Sequence, residues 1–595
     1  MTTQVLFNPF MTIFRVLAYA WSLLKSIDRC YWVLLAMPFV LLLLYPGWII
    51  SSVLQGTIDP WIYLGYMLNW KCHWQAFPHT YYGARIPWIS VGILVYELFP
   101  SYVAMYLLPL LVYYTGVFSL YVTIKRLFGR KAALLTSTLL GSYFYFLYSV
   151  GSTHYDGLAS VLLLVVLCFL TPTSCGYKNR VMTYLNLACA GFAFATAVAT
   201  QMFLLNYVPL VLLYFSFITA SKMKTHYLKS VCFLLFGFAI AVLFWCIVAF
   251  FINGTFFFFM DSISICQNIL FSPTNPWWHP LHVWTYYAKH WKLPAMAFAG
   301  SFLAIIIYLR GRASNNIASL SAYCLLSISI HAVWQFVFKL PILEMYYYAS
   351  YLIPGIFLWI GALLGPVAKN LKRRSFIIVY ATLICWILVV YTYLGPKNPI
   401  HYWLSLKVIS AVVTICFALL LVFYKGRLLE IFSDRQPAMK CLAITALIMS
   451  SSSGIFKHSS AYFLTPIEQK NAFLTVIDSV SHIRQAAPEA DLLFWFDSRE
   501  RLQYVFRSIS SCYLWGYRLV NEDFPLHLNP SSPYKRELFS GDRVLILSED
   551  TPLIEQANQS LLESSGLQGS VVSQKLMESG SVRYYLTVLE LSPAQ

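Results

Sequence analysis

The chain has 595 residues, 59% of them hydrophobic and only 11% charged, whereas an ordinary soluble domain is about one quarter charged. That balance excludes a solvated globule, and 17% aromatic residues exclude a disordered chain. The net charge of +17 points to a membrane topology signal rather than to nucleic acid, because of where its residues fall.

Residues 1–30 come before the first long apolar run. Phe7–Leu24 within them is aromatic and weakly amphipathic, as expected of a segment lying along a membrane interface. No small-residue cleavage site follows that first run, so no cleavable signal peptide is expected. A helix needs roughly 17–25 apolar residues to cross a bilayer, and about thirteen such runs follow. They are Tyr31–Val53, Ser101–Val122, Ala132–Val150, Leu158–Pro172, Val181–Ala199, Phe203–Ala220 and Val231–Ile252, then Pro294–Leu309, Ile317–Phe336, Tyr347–Leu364, Ser375–Leu394, Ser405–Tyr424 and Cys441–Phe456.

Lysine and arginine accumulate on the cytoplasmic side of membrane proteins. Arg15, Lys25 and Arg29 precede the first run, and Lys125, Arg126, Arg130 and Lys131 follow the second. Lys178, Arg180, Lys222, Lys224, Lys229, Arg310, Arg312, Lys369, Lys372, Arg373, Arg374, Lys425, Arg427, Arg435 and Lys440 continue on that face. The opposite loops hold only Lys71, Arg85, Lys289, Lys292, Lys339, Lys397 and Lys407. A cytoplasmic N-terminus is therefore expected, with residues 457–595 outside.

Asp28, Asp59, Glu97, Asp156, Asp261, Glu344, Glu430 and Asp434 are the acids before residue 457. None lies in the middle of a run, which argues against an ion or proton pathway and toward a site at the outer surface. The outer loops 54–100 and 253–293 are the longest. In the first, Asp59-Pro60 opens a short helical pattern, with Trp61, Trp70, Trp74 and Trp88 expected in the interfacial aromatic belt. Asp59 fits either a helix cap or a general base. After the third run comes Ser152-Thr153-His154-Tyr155-Asp156-Gly157; Asp156 fits either another cap or a proton-handling pair with His154. Arg85 offers a planar fork for phosphate or snorkels to headgroups. Lys289 and Lys292 sit in a basic, aromatic stretch suited to a lipid-linked phosphate or to simple anchoring. A Cys72–Cys266 bridge is compatible with the topology, and the remaining cysteines read as small apolar residues. Asn253-Gly254-Thr255 and Asn558-Gln559-Ser560 match the sequon pattern.

These residues resemble the GT-C superfamily of membrane glycosyltransferases, in its bacterial branch related to protein mannosyltransferases and the aminoarabinose transferase of lipid A. The likeness is carried by the early Asp59, by Tyr81-Tyr82-Gly83-Ala84-Arg85-Ile86-Pro87 and by Asp156, and it extends over Tyr31–Leu394. It implies transfer of a sugar from a polyprenyl-phosphate donor to a glycan, lipid or protein acceptor outside the membrane. On that likeness Asp59 is the catalytic base, Asp156 a second acid near both substrates, and Arg85 faces the donor phosphate with Tyr81 and Tyr82 beside it. Lys339 and Glu344-Met345-Tyr346-Tyr347-Tyr348 match the late loop that helps to bind lipid phosphate. Asp59 lacks the adjacent second acid of many relatives, and no metal-ligand set is evident, so a metal-independent inverting displacement is expected, although a divalent cation is compatible with the chemistry. A transporter or flippase of lipid-linked saccharides is the alternative.

The tail after residue 456 changes to a soluble pattern. Helices are expected at Pro466–Ala487, Glu500–Ser508 and Thr551–Glu563, with strands at Leu492–Phe496 and Val544–Leu547 and a hairpin over Val571–Leu589. The fold class is thus a polytopic α-helical membrane module with a small C-terminal α/β domain.

Overall fold

The computed structural model describes residues 28, 30–45, 48–49, 59–68, 70–76, 82–171, 180–220, 227–271, 292–311, 314–338, 340, 342–343, 346–394, 437, 441–442, 444–445, 492–495, 539–548, 551–579 and 582–594. Among them seven helices are long and apolar enough to cross a membrane, from Ser101–Phe128 to Arg373–Tyr391. Each expected run from Tyr31 to Leu394 contains helix among its described residues. Ser405–Tyr424 lies outside the described residues, as do most of Cys441–Phe456 and the helices expected at Pro466–Ala487 and Glu500–Ser508.

Four runs are not plain spanning helices, the first being described as the 15-residue helix Cys30–Leu44. The third is broken into Arg130–Gly141 and Phe144–Gly151, bent by 62°. Breaking a helix frees carbonyls that must find donors away from water, and here the Tyr391 hydroxyl donates to the Ser142 carbonyl at 2.7 Å. The sixth is a 3-10 turn, Met202–Tyr207, then an α segment, Val208–Tyr214, then a π segment, Phe215–Ala220. The fourth, Asp156–Leu170, is 15 residues long. Two helices were not expected: Met260–Phe271 falls inside outer loop 253–293, and Ile86–Leu98 inside outer loop 54–100. The 13 residues of the latter rise only about 20 Å, too short for the span-length criterion.

Close helix packing relies on glycine where two backbones meet. A Cβ added to Gly191 would lie 1.9 Å from the Leu234 carbonyl oxygen, and one on Gly237 would lie 1.9 Å from that of Ala188. These two positions let the Arg180–Thr200 and Tyr227–Asn253 helices touch main chain to main chain.

The charged groups separate to the two ends of the bundle. At one end Asp28 accepts from Tyr121 at 2.7 Å and pairs with Lys125 at 2.9 Å and Arg130 at 2.6 Å. Arg126 donates there to the Cys168 and Thr171 carbonyls at 2.7 and 2.9 Å. Asp156 opens the other end of that same Asp156–Leu170 helix, about 22 Å away at 1.5 Å per residue.

In the tail, strands Leu492–Trp495, Arg543–Ser548, Leu567–Ser579 and Val582–Pro593 form one sheet in which the first pairs parallel to the second, the second antiparallel to the fourth, and the fourth antiparallel to the third. Val544, Ile546, Leu589 and Leu591 on one face pack against Ala557 and Leu561 of the Ile554–Ser565 helix. Alternation along the strands sends Leu545, Leu586 and Val588 to the opposite face, into the large apolar cluster. The Asn558 side chain is occupied within this unit, donating to the Gly569 carbonyl at 3.1 Å and accepting from its N–H at 2.8 Å.

Candidate active site

Three short pieces of chain meet at the Asp156 end of the bundle. Asp59 is the first residue of the Asp59–Leu68 helix; its side chain lies outside the described residues. Helices tolerate proline in their first turn, and Pro60 occupies the second position here. Its carbonyl accepts a 2.6 Å hydrogen bond from Thr153 Oγ1, while the Thr153 carbonyl accepts from Trp88 Nε1 at 2.8 Å. The helix bearing Asp59, the helix following Arg85 and the Ser152–Asp156 loop are thereby tied at one point. Trp88, Trp61 and Trp74 are buried in the protein, which corrects the expected aromatic belt: these rings are core, and Trp88 also supplies a tie.

Arg85 ends a tight turn in which its N–H bonds to the Tyr82 carbonyl at 3.2 Å. A Cβ on Gly83 would lie 2.7 Å from Trp74 Nε1, so the turn closes only with glycine there. The Arg85 side chain is 7% exposed, with its guanidinium carbon 4.7 Å from the Tyr155 ring centroid. Among the described residues no carboxylate pairs with it, and its Nε has no hydrogen-bond partner. Burial works against its charge, and the phenols of Tyr155, Tyr63 and Tyr348 surround it. Snorkelling is thus corrected: this guanidinium points inward.

Asp156 is 1% exposed and is the first residue of its helix, with Tyr155 at the N-cap position, so Asp156 is not the cap. Its Oδ1 accepts from the Tyr351 hydroxyl, and its Oδ2 faces His154 Nδ1. The His154 ring lies 4.2 Å from that of Tyr155 and 5.5 Å from that of Tyr63. Tyr63 also meets Tyr155 at 5.2 Å and the buried Tyr82 at 5.5 Å. Tyr155 accepts from Gln201 Nε2 at 3.1 Å, and burial, reinforced by Asp156, pushes its phenol well above the ordinary value, keeping it neutral.

The segment carrying Tyr348 and Tyr351 is clamped through its carbonyls by three helical elements. Ser160 donates to the Ser350 carbonyl at 3.0 Å, Tyr207 donates to that of Tyr351 at 3.0 Å, and His331 Nε2 lies 3.2 Å from that of Tyr348. The Met260–Phe271 helix of the second outer loop also comes near: burial raises the Cys266 thiol and Arg85 opposes the shift. Cys266 is a free thiol, so no bridge to Cys72 forms.

Of the other expected site residues, Tyr81, Lys289, Lys339 and Glu344 lie outside the described residues, as does the side chain of Tyr347, whose backbone is helical. Lys292 is exposed at the start of the Lys292–Leu309 helix. Sequence reasoning missed Tyr63, Tyr155, Tyr351, Thr153 and His331. Tyr63 stands one helical turn after Asp59, and Tyr155 adjoins Asp156, but in a chain with 42 tyrosines neither position stands out. Among the described residues no group of three or more His, Cys, Asp or Glu side chains is placed to hold a metal.

No protein-family model and no curated protein sequence matches the chain. Among solved structures it is similar to apo ArnT from Cupriavidus metallidurans, at 14% identity over 93% of this chain and 97% of that one, with a TM-score of 0.48. The same protein bound to undecaprenyl phosphate gives 13% identity over 94% and 98%, with a TM-score of 0.48. The apo oligosaccharyltransferase of Archaeoglobus fulgidus gives 12% identity over 91% and 72%, with a TM-score of 0.36.

Proposed function

We propose that this chain is a GT-C-type glycosyltransferase that moves a sugar from a polyprenyl-phosphate donor to a glycan, lipid or protein acceptor on the outer side of the membrane. The observation that carries this reading is the buried Arg85 guanidinium, which has no carboxylate partner among the described residues and adjoins the Asp156 cluster at one end of an apolar bundle. A buried charge is costly unless something compensates it, and arginine stays protonated in any protein setting. An anionic group of the substrate supplies that compensation, and a phosphate suits the fork geometry of a guanidinium. The surrounding spanning helices suit a prenyl tail.

Asp59, at the start of a helix tied to the same point, takes the acceptor hydroxyl's proton as its oxygen bonds to the anomeric carbon. The bond from that carbon to the phosphate oxygen breaks, and one displacement inverts the centre. Tyr82 and Arg85 steady the phosphate. The basic clusters at the opposite end support a cytoplasmic N-terminus, and the plasma membrane of a bacterium is the setting this reading favours.

Transport is disfavoured because, among the described residues, the Asp, Glu, Lys and Arg of the spanning helices stand in terminal turns rather than at mid-depth. The one sharp break is closed by Tyr391 rather than opened as a binding site. The test is sugar transfer by purified protein in nanodiscs supplied with polyprenyl-phosphate sugars. Asp59→Asn lowers turnover by about 10²-fold or more, and unchanged turnover overturns the reading.

A further inference from the structure

We propose that Gln201 is a positioning residue for the donor's phosphate: its side-chain amide holds the Tyr155 ring on which the Arg85 guanidinium rests. This rests on the glycosyl-transfer reading and adds to it the group that sets how its arginine is aimed.

Gln201 stands in extended backbone, φ −146° and ψ 109°, between the Arg180–Thr200 helix and the Met202–Tyr207 3-10 turn. Its N–H donates to the Ala197 carbonyl at 2.8 Å, and its carbonyl accepts from Leu204 at 3.0 Å. The main chain is thus satisfied across the junction without help from the side chain. That residue is 4% exposed, and its Nε2 donates to the Tyr155 hydroxyl at 3.1 Å. A phenol both donates and accepts, so the bond persists whichever end of the amide meets it. At the far end of the same turn Tyr207 donates to the Tyr351 carbonyl at 3.0 Å, and between the two Phe203 stacks on the Tyr351 ring at 6.0 Å. One segment thereby braces Tyr155, which carries Arg85, and Tyr351, which meets Asp156.

The place of the bond on Tyr155 decides what it does. The guanidinium carbon lies 4.7 Å from the ring centroid, and a cation is drawn to the face of an aromatic ring rather than its edge. The tilt of the ring therefore sets the direction of the guanidinium, whose Nε has no hydrogen-bond partner among the described residues. His154 and Tyr63 pack against the ring at 4.2 and 5.2 Å. The Gln201 bond adds a directional hold on the hydroxyl, the atom farthest from the backbone, where a small rotation moves the ring most.

Stability and positioning separate in a double-mutant cycle. Replacing both partners of a buried hydrogen bond by apolar groups of the same shape is nearly neutral for folding, whereas removing one leaves the other unsatisfied. The experiment measures binding of polyprenyl monophosphate to the full-length protein in nanodiscs, and thermal unfolding without the lipid. The proteins are the wild type, Gln201→Met, Tyr155→Phe, the double variant and Arg85→Gln. Methionine keeps an unbranched chain of similar length, and phenylalanine keeps the ring under Arg85.

Each single variant unfolds at a lower temperature than the wild type, and the double variant recovers. Affinity does not recover: both single variants and the double bind the lipid about fivefold more weakly, by the same factor, because one bond is lost in all three. Affinity that returns in the double variant together with stability reduces Gln201 to a structural role and overturns the proposal. Losses that multiply in the double variant overturn it too, as does wild-type affinity in Tyr155→Phe alone. Should Gln201→Met not fold, Gln201→Leu is read in the same way. Weak binding by Arg85→Gln beside wild-type binding by the other variants leaves the phosphate site standing without Gln201. Wild-type binding by Arg85→Gln overturns the phosphate site and this proposal with it.

Discussion

The Thr153 hydroxyl donates to the carbonyl of Pro60 at 2.6 Å, joining two residues 93 positions apart in the chain. Through this bond the helix that begins with Asp59 meets the loop that ends in Asp156. Both partners are buried, and removing the donor leaves a buried carbonyl unsatisfied at a cost of about 1–3 kcal/mol. Thr153→Val keeps the shape and loses the bond. Its thermal unfolding midpoint falls, and its turnover falls more than its donor affinity, because a small misplacement of a catalytic group is felt chiefly in the rate. Equal turnover in Thr153→Val and wild type would show that the tie does not align the site.

Arg85 gives a prediction of opposite sign for stability and function. A buried charge without a carboxylate partner among the described residues opposes folding of the empty protein, and replacing such charges by apolar groups of similar size is often neutral or stabilising, by about 1–4 kcal/mol. Arg85→Met therefore unfolds at a temperature equal to or above that of the wild type in the absence of lipid, and binds polyprenyl phosphate at least tenfold more weakly. Thermal scans with and without the lipid check both halves: the wild type gains from ligand and the variant does not. A variant that is strongly destabilised when empty would show that the arginine has a structural partner.

Gly237 tests the close helix contact. A Cβ there would lie 1.9 Å from the Ala188 carbonyl oxygen, a main-chain atom that cannot rotate away. Gly237→Val forces the Arg180–Thr200 and Tyr227–Asn253 helices apart at a cost of about 1–3 kcal/mol or more. The midpoint of thermal unfolding in detergent falls accordingly, while Gly254→Ala, where nothing lies within 4 Å of an added Cβ, is limited to the strain of its positive φ.

Asp28 predicts a pH dependence at the opposite end of the bundle. Burial pushes its carboxyl up, but hydrogen bonds from Tyr121, Lys125 and the Cys30 N–H outweigh that and hold it well below the usual carboxylate range. The folded-state value is depressed, so the stabilisation is fully present above the unfolded value near 3.9 and is lost as pH falls below it. Because Lys125 and Arg130 are 41% and 54% exposed, solvent screening limits the effect to about 1 kcal/mol. Asp28→Asn is less stable than wild type at pH 7 by that amount, and the gap narrows progressively as pH falls below about 4 in denaturation measured at each pH. A gap that persists in acid would assign the loss to packing instead.

The membrane character and the apolar helices between Tyr31 and Leu394 that reach spanning length were legible in the chain itself. Hydrophobicity over span length and the placement of Lys and Arg are local properties, set by the bilayer as solvent and by charge translocation. Asp59, Asp156, Arg85 and His154 were legible for a related reason: an ionisable residue stands out in an apolar chain. The tail's strands at 492–495 and 543–548 and its terminal hairpin followed from runs of apolar and β-branched residues with turn residues between them.

Tertiary structure alone decided what those groups do to one another. That Asp156 faces Tyr351, 195 residues away, that Arg85 sits inside a cage of phenols rather than at the headgroups, and that Trp88 ties two loops instead of anchoring one depend on how helices distant in sequence pack. Periodicity and composition report the solvent each segment prefers. They carry no information on which of 42 tyrosines closes around a given charge, because that choice is made by the shape of the assembled bundle.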